Sequence, residues 1–360
     1  MERVILATGG TGGHIFPALA VAAEMKTRFP GIRIMFVGGS RGRDREFAEK
    51  AGLEFLGLPV RGVMGSGAKS LGAIFWLTKS VLKSWTLMRK YKPDAVVGFG
   101  GYAGFAPVLA ACIRGIPRAV HEQNSLPGFA NRVLARWANR VFLSFPDENR
   151  LFDEKRTVLT GCPARLEIVG LWDKFTEPPG QGSTKKLLVM GGSQGARALN
   201  DAVVKALPAM RERNIEIRHQ TGRADLERVR SGYKERGMDP IRAEAFIEDM
   251  SEAYAWSDLV LCRAGAATVA ELSVAGKPSI LVPYPHATHR HQSQNARFLE
   301  DAGAAMILMQ NFLGEMDLAR AVDEIFSTPG RLRSMAVAAH KLGRPSAAER
   351  LVREVEAMAA

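Results

Sequence analysis

One histidine in the chain stands at the end of a run built almost wholly of glycine. Gly9-Gly10-Thr11-Gly12-Gly13-His14 follows the apolar stretch Val4-Ile5-Leu6-Ala7. Glycine adds nothing to a core and costs backbone entropy, so a cluster of it serves close approach of the backbone to something else. A strand, such a turn and then a helix (Pro17 to Lys26, apolar at Leu19, Val21, Ala22 and Met25) aims backbone N–H groups at the loop, which suits a diphosphate. The same turn without a ligand only links two elements. An imidazole at its mouth is a candidate general base, and equally a structural hydrogen-bonding group.

Other residues carry chemistry of the same kind. Gly98-Phe99-Gly100-Gly101-Tyr102-Ala103-Gly104 is a further glycine loop, with Tyr102 placed to orient a sugar or phosphate, or to pack. His121-Glu122-Gln123-Asn124, followed by Asn131 and Arg132, sets four hydrogen-bonding side chains at a strand end, where α/β folds hold ligands. Arg165 comes just after Gly161-Cys162-Pro163 and suits a phosphate. Ser193 and Gln194 lie in a second turn, Gly191 to Gly195. Ile247 ends a short strand where its backbone could read a flat base. Small residues Ala264 to Thr268, with Ala266 and Ala267 among them, lead into a helix bearing Glu271, whose carboxylate suits ribose hydroxyls; tight helix packing is the plainer reading of them. Gln292 and Asn295 follow a loop with His286, His289 and His291 and look like sugar-hydroxyl partners. A metal is not expected there, because no acidic or cysteine ligand accompanies the histidines.

The elements that must position these groups alternate. Short apolar strands at Ile32–Val37, Asp94–Val97 and Arg118–His121 are interleaved with helical stretches at Arg43–Ala51 and Phe105–Arg114. That grammar predicts a doubly wound parallel sheet. It restarts at Lys186, where Leu187 to Met190 runs into the second glycine turn and an Ala-rich helix from Ala196 to Leu207. A chain of 360 residues suits two domains, at roughly 100–200 residues each. The expected division is 1–162 for an N-terminal domain and 163–345 for a C-terminal one facing it across a cleft. A last helix, within 346–360, could return to the first.

Composition narrows the partners. Apolar residues make up 46% and charged residues 24%, ordinary for a folded globular chain. Three widely spaced cysteines suggest neither a disulfide framework nor a zinc site and fit a reducing cytoplasm. No cleavable leader is expected and no run is long enough to span a bilayer, so any membrane contact is expected to be peripheral. The formal charge of +12 calls for a negatively charged partner. From Phe55 to Pro93 no acidic residue occurs. Leu71, Ile74, Phe75, Thr78, Val81, Leu82, Trp85 and Met88 form a helical stripe expected to be core. Lys79, Lys83 and Lys90 share another sector with Trp76 and Leu87, a mixture suited to anionic lipid, or to a solvated basic face with Trp76 packed on a loop. Nucleic acid is not expected, since no nucleic-acid-binding signature accompanies the charge.

Taken together, the loops GGTGGH and GFGGYAG, HEQN followed by PGFANR, GGSQGA, FIEDM, RAGAATVAE and PYPHAT…HQ…NA resemble the MurG family of bacterial glycosyltransferases, in the family's order and over nearly the whole chain. The resemblance implies a GT-B architecture of two Rossmann-like domains. It implies inverting transfer of N-acetylglucosamine from UDP-N-acetylglucosamine to the 4-hydroxyl of undecaprenyl-diphospho-N-acetylmuramyl-pentapeptide, at the cytoplasmic membrane face and without metal or cofactor. Cell-wall and division proteins are the implied protein partners. By matching motif, Ile247 would read uracil, Glu271 would bind ribose, Arg165 and Ser193 the diphosphate and Gln292 the sugar. Thr11, Gly12, Gly13 and Asn124 would approach from the first domain, with His14 near the reacting centre as base and Glu122 behind it through a water. Cys162, where the family usually has Asn, and Arg290, where an acidic residue is frequent, depart from the pattern without removing a residue assigned chemistry.

Other classes predict other behaviour. A UDP-N-acetylglucosamine 2-epimerase of the same fold needs no lipid and leaves the basic helix unexplained. A dinucleotide oxidoreductase would carry GxGxxG, which neither turn reads. A carrier that only sequesters lipid diphosphate would bind no donor.

Overall fold

A computed structural model of the chain describes residues 1–10, 12–40, 43–59, 69–178, 185–192, 195–287 and 290–360, the side chains of 69–74 and 315–317 excepted. The chain divides into two units, Met1–Leu166 with Arg344–Ala360, and Glu167–Gly343.

In the first unit the elements run β1 (Arg3–Ala7), α1 (Gly12–Arg28), β2 (Arg33–Gly39), α2 (Asp44–Lys50), β3 (Glu54–Leu58), α3 (Lys69–Tyr91) and β4 (Ala95–Gly98). They continue with α4 (Gly101–Ile113), β5 (Arg118–Glu122), α5 (Phe129–Ala135), β6 (Arg140–Leu143) and β7 (Thr157–Leu159). The sheet is parallel throughout in the order β3-β2-β1-β4-β5-β6-β7. Strands covered on both faces must be apolar along their length, and Val4 to Ala7 and Ala95 to Val97 are fully buried. The order reverses between β1 and β4, where Ala7 pairs with Gly98. Loops leaving the carboxyl ends of these two strands therefore diverge to opposite faces and open a crevice between them. Those loops are the first two glycine runs.

The second unit comprises most of α6 (Leu166–Val169), then β8 (Lys185–Met190), α7 (Arg197–Glu212), β9 (Ile215–Gln220), α8 (Leu226–Glu235), β10 (Ala243–Glu244), α9 (Met250–Trp256) and β11 (Leu259–Cys262). After these come α10 (Ala266–Val274), β12 (Ser279–Leu281), α11 (His291–Asp301), β13 (Ala305–Ile307), α12 (Glu315–Ser327) and α13 (Arg331–Leu342). Its sheet repeats the plan, in the order β10-β9-β8-β11-β12-β13. Met190 pairs with Cys262 at the reversal, which sets Gly191 beside the loop Arg263-Ala264-Gly265.

The final helix, α14 (Ala347–Ala359), belongs to the first unit. Leu351, Val352 and Val355 are fully buried in the same cluster as Val4, Leu6 and Met25. Ion pairs Arg28–Glu356 at 2.7 Å and Arg140–Glu354 at 3.2 Å flank that apolar stripe.

Two local expectations change. Helix α1 begins at Gly12 rather than at Pro17, so Gly12, Gly13 and His14 form its first turn. Pro17 lies inside this helix, which runs through it without the bond that an N–H at that position would give the Gly13 carbonyl. Helix α3 is turned from the predicted stripe, which reaches the core only through Met88 and half-buried Val81 among its described side chains. Phe75 and Leu82 are 62% and 63% exposed and Trp85 36%, whereas Ser80, Ser84, Met88 and Tyr91 are buried. Val81 and Leu87 are half-buried against that core, so Leu87 is not on the outer face with the lysines. Counting apolar side chains favoured the stripe that faces out; the serines are small enough to let the helix backbone approach its neighbours.

Candidate active site

Close backbone packing builds the first crevice. A Cβ on Gly101, whose φ is +72°, would lie 2.3 Å from the carbonyl oxygen of Gly9, so the two glycine loops can meet only as bare backbone. Gly100, with φ +85°, lies against the His14 ring, where a Cβ would be 3.3 Å from its Cε1. The imidazole thus stands in the first turn of α1, flanked by the loop after β4.

Beyond it, β5 supplies the polar groups. His14 Nδ1 lies 2.8 Å from Gln123 Oε1, Gln123 Nε2 lies 2.9 Å from His121 Nδ1, and His121 Nε2 lies 3.2 Å from the carbonyl oxygen of Gly161. Gln123 Nε2 also donates to the His121 carbonyl at 3.1 Å, which Asn131 Nδ2 shares at the same distance. Burial pushes the His121 pKa down to about 4, because an imidazolium there would lose its water. His121 and Gln123 stand in the polar cluster read from the sequence, with no individual role assigned to either there. Their signal was the period of a strand: side chains two apart share a face, so His121 and Gln123 project together and Glu122 projects the other way.

Glu122 faces a set of donors instead. It is buried, and each carboxylate oxygen takes two donors. Oε1 accepts from Asn124 N at 2.9 Å and Asn124 Nδ2 at 3.2 Å, and Oε2 from Gly128 N at 3.0 Å and Asn131 Nδ2 at 2.9 Å. A carboxylate that takes four donors from residues 124–131 clamps that segment. Asn124 is held by the clamp, and Tyr102 is exposed at the start of α4. Arg165, expected with the second domain, belongs to the first unit, its guanidinium 5.1 Å from the centre of the Phe16 ring on α1. Thr11 lies outside the described residues.

The second unit presents its candidates at the ends of β8, β10, β11 and β12. Ala266, Ala267 and Thr268 form the first turn of α10, and Glu271 one turn on accepts from Tyr254 Oη at 3.3 Å. Ile247, expected to read the base through its backbone, is buried. Gln292 Oε1 accepts from Tyr284 N at 2.8 Å and buried Asn295 donates to the Ala264 carbonyl at 3.3 Å, so α11 braces two of these loops. Arg263 joins them, donating to the Val282 carbonyl at 3.1 Å and to Gln310 Oε1 at 2.7 Å. Ser193 and Gln194 lie outside the described residues, as do 288 and 289. Among the described residues no group of three or more His, Cys, Asp or Glu side chains is gathered as a metal site.

The expected lipid face on α3 keeps its charge and changes its apolar members. Phe75, Leu82 and Trp85 stand outward with exposed Lys79, Lys83, Arg89 and Lys90. Half-buried Trp76 packs edge-on to Phe75, ring centres 5.5 Å apart, and carries the Lys79 ammonium 5.5 Å from its ring centre. Arg114 at the end of α4 caps the Trp85 ring at 4.8 Å, next to exposed Ile113.

Comparison with known proteins gives this arrangement a context. The glycosyltransferase family 28 N-terminal domain matches residues 4–143 and its C-terminal domain residues 186–351. A UDP-N-acetylglucosamine–N-acetylmuramyl-(pentapeptide) pyrophosphoryl-undecaprenol N-acetylglucosamine transferase of Nitratidesulfovibrio vulgaris strain Hildenborough is 53% identical over 352 residues, 98% of this chain and 96% of the relative. The protein of the same description from Myxococcus xanthus is 44% identical over 98% of this chain and 91% of its own. The crystal structure of Acinetobacter baumannii MurG superposes with a TM-score of 0.78 at 31% identity, covering 99% of this chain and 100% of that one. A UDP-N-acetylglucosamine 2-epimerase structure shares the fold alone, at 15% identity, a TM-score of 0.67 and coverage of 98% of this chain and 95% of that one.

Proposed function

The chain belongs to glycosyltransferase family 28, and from that membership we infer that it transfers N-acetylglucosamine from UDP-N-acetylglucosamine to undecaprenyl-diphospho-N-acetylmuramyl-pentapeptide in peptidoglycan synthesis. It is a GT-B hexosyltransferase. The observation that carries this reading is the near-full-length likeness to transferases of that description, at an identity far above that of the epimerases.

The site suggests how the reaction runs. The acceptor's 4-hydroxyl oxygen attacks the anomeric carbon, forming one C–O bond while the bond to the diphosphate breaks and UDP leaves with the electron pair. The hydroxyl proton goes to His14, in one inverting displacement. Burial and saturation of Glu122 favour His14 as that base. The nucleotide is assigned to the second unit, with the Ile247 backbone on the base, Glu271 on ribose, and Ser193 with the N-terminus of α10 on phosphate. Backbone amides and Arg165 are the proposed stabilisers of the leaving charge, a task that calls for no metal in this scheme. Gly12, Gly13, Tyr102 and Asn124 are assigned to substrate in the first unit, and Gln292 to the donor sugar.

The acceptor is lipid-linked, and the α3 face supports peripheral attachment to anionic lipid on the cytoplasmic side, through Phe75, Leu82 and Trp85 with Lys79, Lys83 and Lys90. Transfer of radiolabel from UDP-N-acetylglucosamine into a lipid-extractable product, dependent on added acceptor, tests the function. Labelled epimer formed from donor alone would favour the epimerase reading instead.

A further inference from the structure

We propose that Gln123 and His121 are positioning residues that fix the tautomer of His14, leaving the lone pair on Nε2 to take the acceptor's proton. This rests on the reading of His14 as base.

Two backbone carbonyls set the direction of the chain of hydrogen bonds, because a carbonyl oxygen only accepts. The Gly161 carbonyl faces His121 Nε2 at 3.2 Å, so that nitrogen carries the ring hydrogen and Nδ1 carries the lone pair. The His121 carbonyl faces the Gln123 amide nitrogen at 3.1 Å, which fixes the amide the other way round from its flipped form. The second amide hydrogen then meets His121 Nδ1 at 2.9 Å. Gln123 Oε1 is left pointing at His14 Nδ1, 2.8 Å away, and can only accept from it. His14 must therefore carry its hydrogen on Nδ1. Both relaying side chains are buried, and the depressed pKa of His121 keeps it neutral at working pH, so the relay does not scramble by taking up a proton. The rings are also held in place: Phe99 packs on His121 with centroids 5.5 Å apart, and Gly100 lies against His14.

The test separates this role from a merely structural one by comparing two substitutions of one side chain. Gln123→Glu keeps an oxygen that accepts from His14 Nδ1; Gln123→Met has similar length and only a weakly accepting sulfur. Nitrogen-15 NMR of protein labelled at its histidine rings, with His14 assigned from the spectrum of His14→Asn, reads the tautomer directly. The expected result is Nδ1 protonated and Nε2 bare in the native enzyme and in Gln123→Glu, with a shift towards Nε2–H in Gln123→Met. General-base catalysis is worth about 10²–10⁴-fold, so Gln123→Met should lose at least about tenfold in kcat, more than Gln123→Glu, with the KM for donor nearly unchanged. A native His14 protonated on Nε2 would overturn the proposal, as would equal loss in both variants with the His14 tautomer unmoved. The native spectrum needs no turnover, and only His14→Asn for its assignment, so it decides the tautomer even if no sugar transfer is seen.

Discussion

At the scale of residues, the polar groups nearest the candidate base are mostly spoken for, and that shapes their response to pH and mutation. His121 in the first unit and His219 in the second are both fully buried and held neutral, with pKa values pushed down to about 4 and about 3 by burial. Unfolded, each titrates at its ordinary value of 6.5. Below that value the unfolded chain binds protons that the folded chain does not. Stability is thus fully present above pH 6.5 and falls as the pH drops towards 4, by about 1.4 kcal/mol per unit for each histidine. Urea titrations between pH 7 and pH 4 should show this slope, flattened when His219 is replaced by Gln. Glu122→Gln makes a different prediction. The new amide would turn a donor towards donors already in place, so stability should fall by about 1–3 kcal/mol. A variant of native stability that had lost only kcat would instead argue that Glu122 handles protons.

At the scale of elements, the glycine runs and the alternation of strands and helices could be read from the chain because both have local causes. Val4 to Ala7 before Gly9, and Leu187 to Met190 before Gly191, needed no distant information to be placed at strand ends. The orientation of α3 did. Both of its faces carry large apolar side chains, and the burial of Ser80 and Ser84 in place of Phe75 and Leu82 is decided by what the helix lies against. The role of Glu122 was hidden for the same reason, since its partners Gly128 and Asn131 arrive through the following loop. Phe75→Ser with Leu82→Ser should lower partitioning onto anionic vesicles at least about tenfold, each large apolar side chain being worth about 1.5–3 kcal/mol when fully withdrawn from water. Sedimentation with vesicles measures it, and unchanged partitioning would remove the α3 face from the account. Helix α14 carries a stability prediction of its own: Leu351→Ala, in the buried core of the first unit, should cost about 2–5 kcal/mol in urea denaturation.

At the scale of the whole molecule, two parallel sheets of one topology each open a crevice at the point where strand order reverses, and each carries a glycine turn there. The net charge of +12 fits a chain whose substrates are a nucleotide sugar and a lipid diphosphate. No helix among the described residues is long and apolar enough to cross a membrane. Vesicle binding that rests on the lysines of α3 should weaken as salt rises from 0.05 to 0.5 M, with screening over about 10 Å at 0.1 M. The account as a whole stands on one displacement at the sugar, with a base on one side and the diphosphate leaving on the other. The most direct test is the configuration of the new glycosidic bond, read by proton NMR on the lipid-linked disaccharide made by the purified protein from the α-linked donor. A β-linked N-acetylglucosamine on the 4-oxygen of the muramyl residue is the predicted product. An α-linked product, or no disaccharide from intact donor and acceptor, would contradict it.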